Sequence, residues 1–158
     1  MTTTISPASL TVTLTEAVSL NGYDQGSKNT LTIASVAEVS KRIVTVTTTE
    51  AEIIKIGSSI DAGRFITGDV RYMRFTNKDD TNFITLTFTN EDDDEVAIKL
   101  DAGHSFIFGA DNTLGLVDVM NAVTAGNAAS DTALGDLTNI QADANTNSCD
   151  LEMFIASV

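Results

Sequence analysis

The sequence predicts an all-β domain, an antiparallel β-sandwich or jelly roll, and three observations carry that reading. Threonine occurs 23 times in 158 residues, a β-branched excess that favours pleated strands. Apolar residues recur at every second position in stretch after stretch, the period of a strand with one face buried. Turn residues separate these stretches at the short intervals typical of sandwiches and barrels. A small barrel is the competing architecture. The length fits one domain over residues 1–158, enough chain to bury roughly two-thirds of its unfolded surface.

The elements follow in chain order. In Leu10–Thr15 the residues Leu10, Val12 and Leu14 alternate with Thr11, Thr13 and Thr15, which is a half-buried strand. Asn21-Gly22 and Gln25-Gly26 supply turn chemistry after it. Leu31–Val36 and Ile43–Thr49 read as two further strands with Lys41 and Arg42 between them. Ala51–Ile56 reads as a fourth, ending at Gly57, although Ile53, Ile54 and Ile56 also fit a short helix.

The middle of the chain alternates most clearly. Asp69–Thr76 places Met73 and Phe75 on one face and Val70 and Tyr72 on the other. After a polar turn at Asn77–Thr81, Asn82–Thr89 separates Ile84, Leu86 and Phe88 from Thr85, Thr87 and Thr89, the latter expected in solvent. The acidic turn Asn90–Glu95 leads to Val96, Ile98 and Leu100, inward, with Lys99 outward. Asp101-Ala102-Gly103 turns the chain into His104–Phe108. Four strands on short turns predict an antiparallel meander. The expected core is Met73, Phe75, Ile84, Leu86, Phe88, Val96, Ile98 and Leu100.

Beyond Gly109 the pattern weakens. Leu114–Val123 fits a short helix or a strand. Asn121–Ala133 consists of small and polar residues and reads as a long surface loop or projection. Leu137–Ala142 and Cys149–Ser157 predict a final strand pair around Asp143–Ser148. In the last strand Cys149, Leu151, Met153 and Ile155 share one face, with Glu152 and Phe154 on the other.

Composition excludes several classes of function. Twenty-two acids against nine bases give a net charge of -13, which argues against nucleic acid and anionic membrane surfaces as partners. All nine bases lie at or before Lys99, and the residues from Leu100 onward carry eight acids and no base. That acidity suits solubility, or docking on a basic surface. The single cysteine excludes an internal disulfide and any cysteine-based zinc site. No apolar run approaches the ~20 residues of a membrane span. The first ten residues, MTTTISPASL, lack the basic and apolar regions of a secretory signal.

No motif assembles catalytic chemistry. The acidic run Asn90–Glu95 is rich in calcium-type oxygens, but it lacks the glycine turn around which a calcium loop wraps. A charged hairpin tip that blocks edge aggregation is the simpler reading, and the same holds for Asp79-Asp80. His104, the only histidine, has Ser105 beside it on the opposite strand face and no orienting partner, so a structural role is expected. Phosphate loops, nucleophile elbows and zinc motifs are missing, and neither cofactor nor metal is expected. Sugar binding on exposed aromatic platforms has little to work with, since the chain has no Trp and only Tyr23 and Tyr72.

Two stretches together carry a resemblance. One runs through Val70–Asn77, Asn82–Leu86 and Lys99–Phe106; the other is Asp150–Ser157. They resemble small all-β structural proteins of tailed bacteriophages, which serve as capsid decoration (cement) proteins or as head, neck and tail components. The strand, tight turn, Asp-Ala-Gly and aromatic strand of such proteins stand here as Lys99–Phe108. The resemblance covers under half of the chain and carries no catalytic residues. It implies a non-enzymatic virion protein, assembled in the host cytoplasm, most readily a decoration protein on the head exterior. A neck or tail component is the alternative, and a carbohydrate-binding module a more distant one. The implied partners are further copies of the chain, with a trimer as the first expectation, and the major capsid protein or other virion proteins. Closed symmetry is the usual arrangement of repeated subunits. The outward Phe154 with Glu152, and the low-charge face with Thr85 and Thr87, are the candidate contact residues.

Overall fold

A computed structural model describes residues 5–91, 93, 95–109, 115–117 and 134–158. Among the described residues there is no helix. The strands are β1 (Ala8–Glu16), β2 (Ser19–Leu20), β3 (Tyr23–Asp24), β4 (Ser27–Val36), β5 (Glu38–Val46), β6 (Ala51–Gly57) and β7 (Arg64–Ile66). They continue as β8 (Val70–Asn77), β9 (Ile84–Asn90), β10 (Glu95–Leu100), β11 (Ser105–Gly109), β12 (Gly115–Val117), β13 (Leu134–Ala144) and β14 (Cys149–Ser157). The all-β expectation holds. The loop expected over Asn121–Ala133, and all of Leu114–Val123 but the strand Gly115–Val117, lie outside the described residues.

Two sheets face each other across one core. Sheet I has the order β10-β9-β13-β6-β7, with β12 also paired to β13. Sheet II has the order β11-β8-β14-β5. Every pair is antiparallel except β6 with β7. Period-two alternation fills the space between them. Ile84, Leu86 and Phe88 from sheet I meet Met73, Phe75, Leu151, Met153 and Ile155 from sheet II, all buried. Phe88 is the hub: its ring meets Phe75, Phe106 and Phe108 of sheet II edge-on at 6.1, 5.6 and 5.9 Å, the geometry that aromatic quadrupoles favour. Val96 and Ile98 pack on this core but stay half-buried, because β10 is the outer strand of its sheet.

The meander expected from the middle of the chain is not formed. β9 and β10 are a true hairpin, but β8 pairs with β11 and β14 in the opposite sheet. The chain therefore crosses the sandwich after β8 and again after β10. The last two strands, expected to pair, are also divided: β13 lies between β9 and β6, and β14 between β8 and β5. A short polar turn serves a hairpin and a sheet-to-sheet crossing equally well, so turn composition alone does not separate them.

Both middle crossings are held by one buried side chain. Asn77, fully buried at the end of β8, donates from Nδ2 to the carbonyls of Asn82 (2.8 Å) and Leu100 (3.2 Å). Its Oδ1 accepts from the backbone N–H of Asp79 at 3.0 Å, and its own N–H donates to His104 O at 3.0 Å. Asp79 continues the lacing, its Oδ1 accepting the N–H groups of Thr81 and Asn82. Gly103, at φ +73°, supplies the left-handed residue of the second crossing without a Cβ penalty.

Three local expectations are corrected. Lys41 and Arg42 lie inside β5, and the break falls at Ala37 instead. Val70 joins the core with Met73, because a register shift opposite Ala156 and Ser157 turns it inward past Arg71. Thr87 and Thr89 are buried, not solvated, since β9 is an interior strand flanked on both sides.

Replacing Leu86 by Ala is expected to cost about 2–5 kcal/mol in urea unfolding, the range for a fully buried leucine. Replacing Asn77 by Ala leaves two inward carbonyls without their donor and is expected to cost about 1–3 kcal/mol in the same measurement. A neutral result there would remove Asn77 from its place as the holder of the crossings.

Candidate functional site

The N-terminal strands stand apart from the sandwich. Among the described residues β1 and β4 pair only with each other, forming an arm that β2 and β3 extend. Leu10 lies opposite Ile33, Val12 opposite Leu31 and Leu14 opposite Asn29. Residues directly opposite in an antiparallel pair share a face, so these form the apolar side of the arm. Thr11, Thr13 and Thr15, opposite Thr32, Thr30 and Lys28, form the polar side. At the tip, Asn21 (φ +52°) and Gly22 (φ +82°) join Leu20 to Tyr23, with the positive angles that a two-residue hairpin turn requires.

At the root the arm is bent. Between the pairs Leu10–Ile33 and Ala8–Val36, Ser9 stands against both Ala34 and Ser35. Ser35 takes φ +60°. This is a β-bulge, which adds twist and redirects a strand. Val36 is then buried against Tyr72 and Ala156, and Ala37 N–H donates to Ser157 O at 2.9 Å.

The arm lies on the outer face of sheet II. Leu10, Val12 and Ile33 are half-buried against a cluster formed with Tyr72 and Phe154; those two rings meet edge-on at 6.0 Å. Burial pushes the Tyr72 hydroxyl above its usual range. Contact is incomplete. A cleft of about 560 Å³ separates Leu31 and Ile33 from Arg71, Tyr72 and Ile107. A second, of about 330 Å³, lies between Leu10, Val12 and Leu14 and the side chains of Arg74, Ile107 and Phe154. From Thr13 to Thr32 every residue except Gly26 is exposed. Leu14 is 50%, Leu20 60% and Tyr23 73% exposed.

Polar groups beside the arm satisfy one another. Arg74 Nη2 donates to Glu152 Oε1 at 2.6 Å, and Lys41 Nζ lies 3.5 Å from Glu152 Oε2. Arg74 also donates to the Thr76 hydroxyl, which lies 2.7 Å from the Ser105 hydroxyl. The Arg74 hydrogen bond, and then Lys41, hold the Glu152 carboxyl below its ordinary range. The arrangement neutralises charge and fixes side chains.

The four candidate contact residues fall on opposite sides of the molecule. Glu152 and Phe154 occupy the outer face of sheet II, next to and under the arm. Thr85 and Thr87 lie on the outer face of sheet I, where Thr87 is buried. They do not form one surface. Tyr72 and Arg74 belong to the first face and were not singled out by sequence; their alternation with Met73 and Phe75 was the available signal. His104 sits in the exposed turn with Nδ1 2.9 Å from Ala102 O, while Ser105 faces Thr76. Cys149 is buried, and burial raises its thiol. Among the described residues no three His, Cys, Asp or Glu side chains form a group that could hold a metal ion. Asp92 and Asp94 of the acidic turn lie outside the described residues.

No family model matches the chain, and no curated protein and no solved structure matches it.

The Glu152 pairing carries a pH signature. Its carboxyl is depressed in the folded state from 4.5, so its contribution is complete above that value and is lost as pH falls through the lower folded value. Thermal midpoints of the wild type and Glu152→Gln are expected to differ at pH 7 and to converge as the pH is lowered through that range. A gap of equal size at neutral and acid pH would contradict the pairing.

Proposed function

We propose that the chain is a non-enzymatic structural protein of a virion, a decoration protein on the capsid exterior that assembles through the arm and the outer face of sheet II. The observation that carries the assembly role is the arm itself. Leu14, Val18, Leu20, Tyr23 and Leu31 are all exposed along it. Five large apolar side chains exposed on one arm suit a protein–protein contact. A two-stranded ribbon is also marginal by itself in water, so an arm that projects beyond its own sandwich gains stability when a neighbour covers it.

The virion setting rests on the likeness of Val70–Asn77, Asn82–Leu86, Lys99–Phe106 and Asp150–Ser157 to tailed-phage structural proteins. A net charge of -13 suits the outer surface of a particle better than a genome-facing one. The partners in this reading are further copies of the chain and the major capsid protein, and the location is the virion, assembled in the host cytoplasm.

Quantitative densitometry of purified particles tests the reading. Decoration implies on the order of hundreds of copies per particle, comparable to the major capsid protein, because a shell repeats one contact over its whole surface. A few to tens of copies would transfer the protein to the neck or tail. Absence from particles would overturn the virion role.

A further inference from the structure

We propose that the larger cleft between the arm and sheet II binds a medium-chain aliphatic carboxylate, with its head on the Tyr72 hydroxyl and its chain between Ile33 and Ile107. The site goes beyond the assembly role and does not depend on it.

The cleft has the make-up of a small-molecule site. Its volume of about 560 Å³ falls within the ~300–1,000 Å³ of ligand pockets. Leu31, Ile33 and Ala34 of β4 form one wall, and Ile107 of β11 belongs to the other. Ligand pockets are mostly apolar, with a small number of polar groups that fix orientation. Tyr72 is such a group here, and it borders the smaller cleft as well.

The chemistry of Tyr72 selects the head group. The residue is only 4% exposed, and among the described residues its hydroxyl has no hydrogen-bond partner. The guanidinium groups beside it do have partners: Arg71 donates to Gly68 O and Arg74 to Glu152, each at 2.6 Å. A buried O–H without an acceptor is costly, and a ligand oxygen removes that cost. Burial keeps the hydroxyl protonated, so it acts as a donor and requires an acceptor. The charge that acts on it is that of Arg74, which favours a negative acceptor over a neutral one.

The walls select the rest of the ligand. A chain of net charge -13 repels small anions, so a bare carboxylate gains too little from one hydroxyl. Each methylene buried against aliphatic walls strengthens binding roughly fourfold. A peptide in the same place would bring backbone N–H and C=O groups that Leu31, Ile33 and Ile107 cannot satisfy.

Octanoate is the probe. The chain holds two tyrosines and no tryptophan, so Tyr72 reports on its own site once Tyr23, 73% exposed at the tip of the arm, is changed to Phe. Titration of the Tyr23→Phe protein is expected to give a saturable change in tyrosine emission, and calorimetry on the wild type to give one octanoate per chain. Octanol carries only the apolar chain and acetate only the carboxylate; each is expected to bind about tenfold more weakly or worse. Tyr72→Phe keeps the ring and removes the hydroxyl. It is expected to weaken octanoate about tenfold in calorimetry and to narrow its lead over octanol. Ile107→Asp sets a like charge in the cleft and is expected to abolish octanoate binding, with circular dichroism checking that the fold is retained. No saturable octanoate binding, acetate or octanol binding as tightly as octanoate, or an unchanged octanoate affinity in Tyr72→Phe would overturn the site.

Discussion

The path of the chain between its two sheets depends on the amide of Asn77. It stands where β8 ends, and it bonds to both crossings that carry the chain out to β9 and back to β11. A carboxamide is suited to this position because it offers two donors and an acceptor without charge. An aliphatic residue would leave inward carbonyls unpaired, and an acid would bring a charge into the core. With the crossings fixed, Phe75 and Phe88 come to face each other across the sandwich, and the aromatic cluster assembles around Phe88.

Charge placement divides the molecule into two kinds of surface. Acids crowd the turns between strands, where water screens them and where they protect sheet edges from pairing with other chains. The outer face of sheet II carries charges that answer one another, with Glu152 set between Arg74 and Lys41. The arm carries almost none. A strongly acidic protein therefore keeps one face on which apolar contact is not opposed by repulsion.

Much of the interior was legible in the sequence, because burial of one strand face leaves a period of two that no other element shares. Met73, Phe75, Ile84, Leu86, Phe88 and Leu100 lie where alternation placed them. Which sheet each strand joins was not legible: partners are fixed by long-range packing, and the turn at Asn77–Thr81 has the composition of any hairpin. Asn77 passed as a turn residue because a buried amide and an exposed one are written with the same letter. Val70 changed sides through a register shift, which alternation cannot foresee. Thr87 and Thr89 were buried by the neighbours of β9, not by their own chemistry. Of the candidate surface, Glu152 and Phe154 were visible as outward residues of the last strand. The arm was visible as two strands but not as a ribbon standing off the sandwich, since its apolar face has the pattern of a core-facing one.

The placement of β13 and β14 has a consequence for how the protein comes into being. Both follow every other strand in the sequence, yet both occupy interior positions, β13 between β9 and β6 and β14 between β8 and β5. During synthesis β5 and β8 leave the ribosome with an empty lane between them, and neither sheet can close until β13 and β14 emerge. Pairing between Val46 and Cys149 spans most of the chain, and such long-range closure is slow. The nascent chain must therefore keep the apolar strands that precede β13 from aggregating until β13 and β14 are made. Acidic turns set between those strands give the unfolded chain a repulsion that favours solution until β14 arrives.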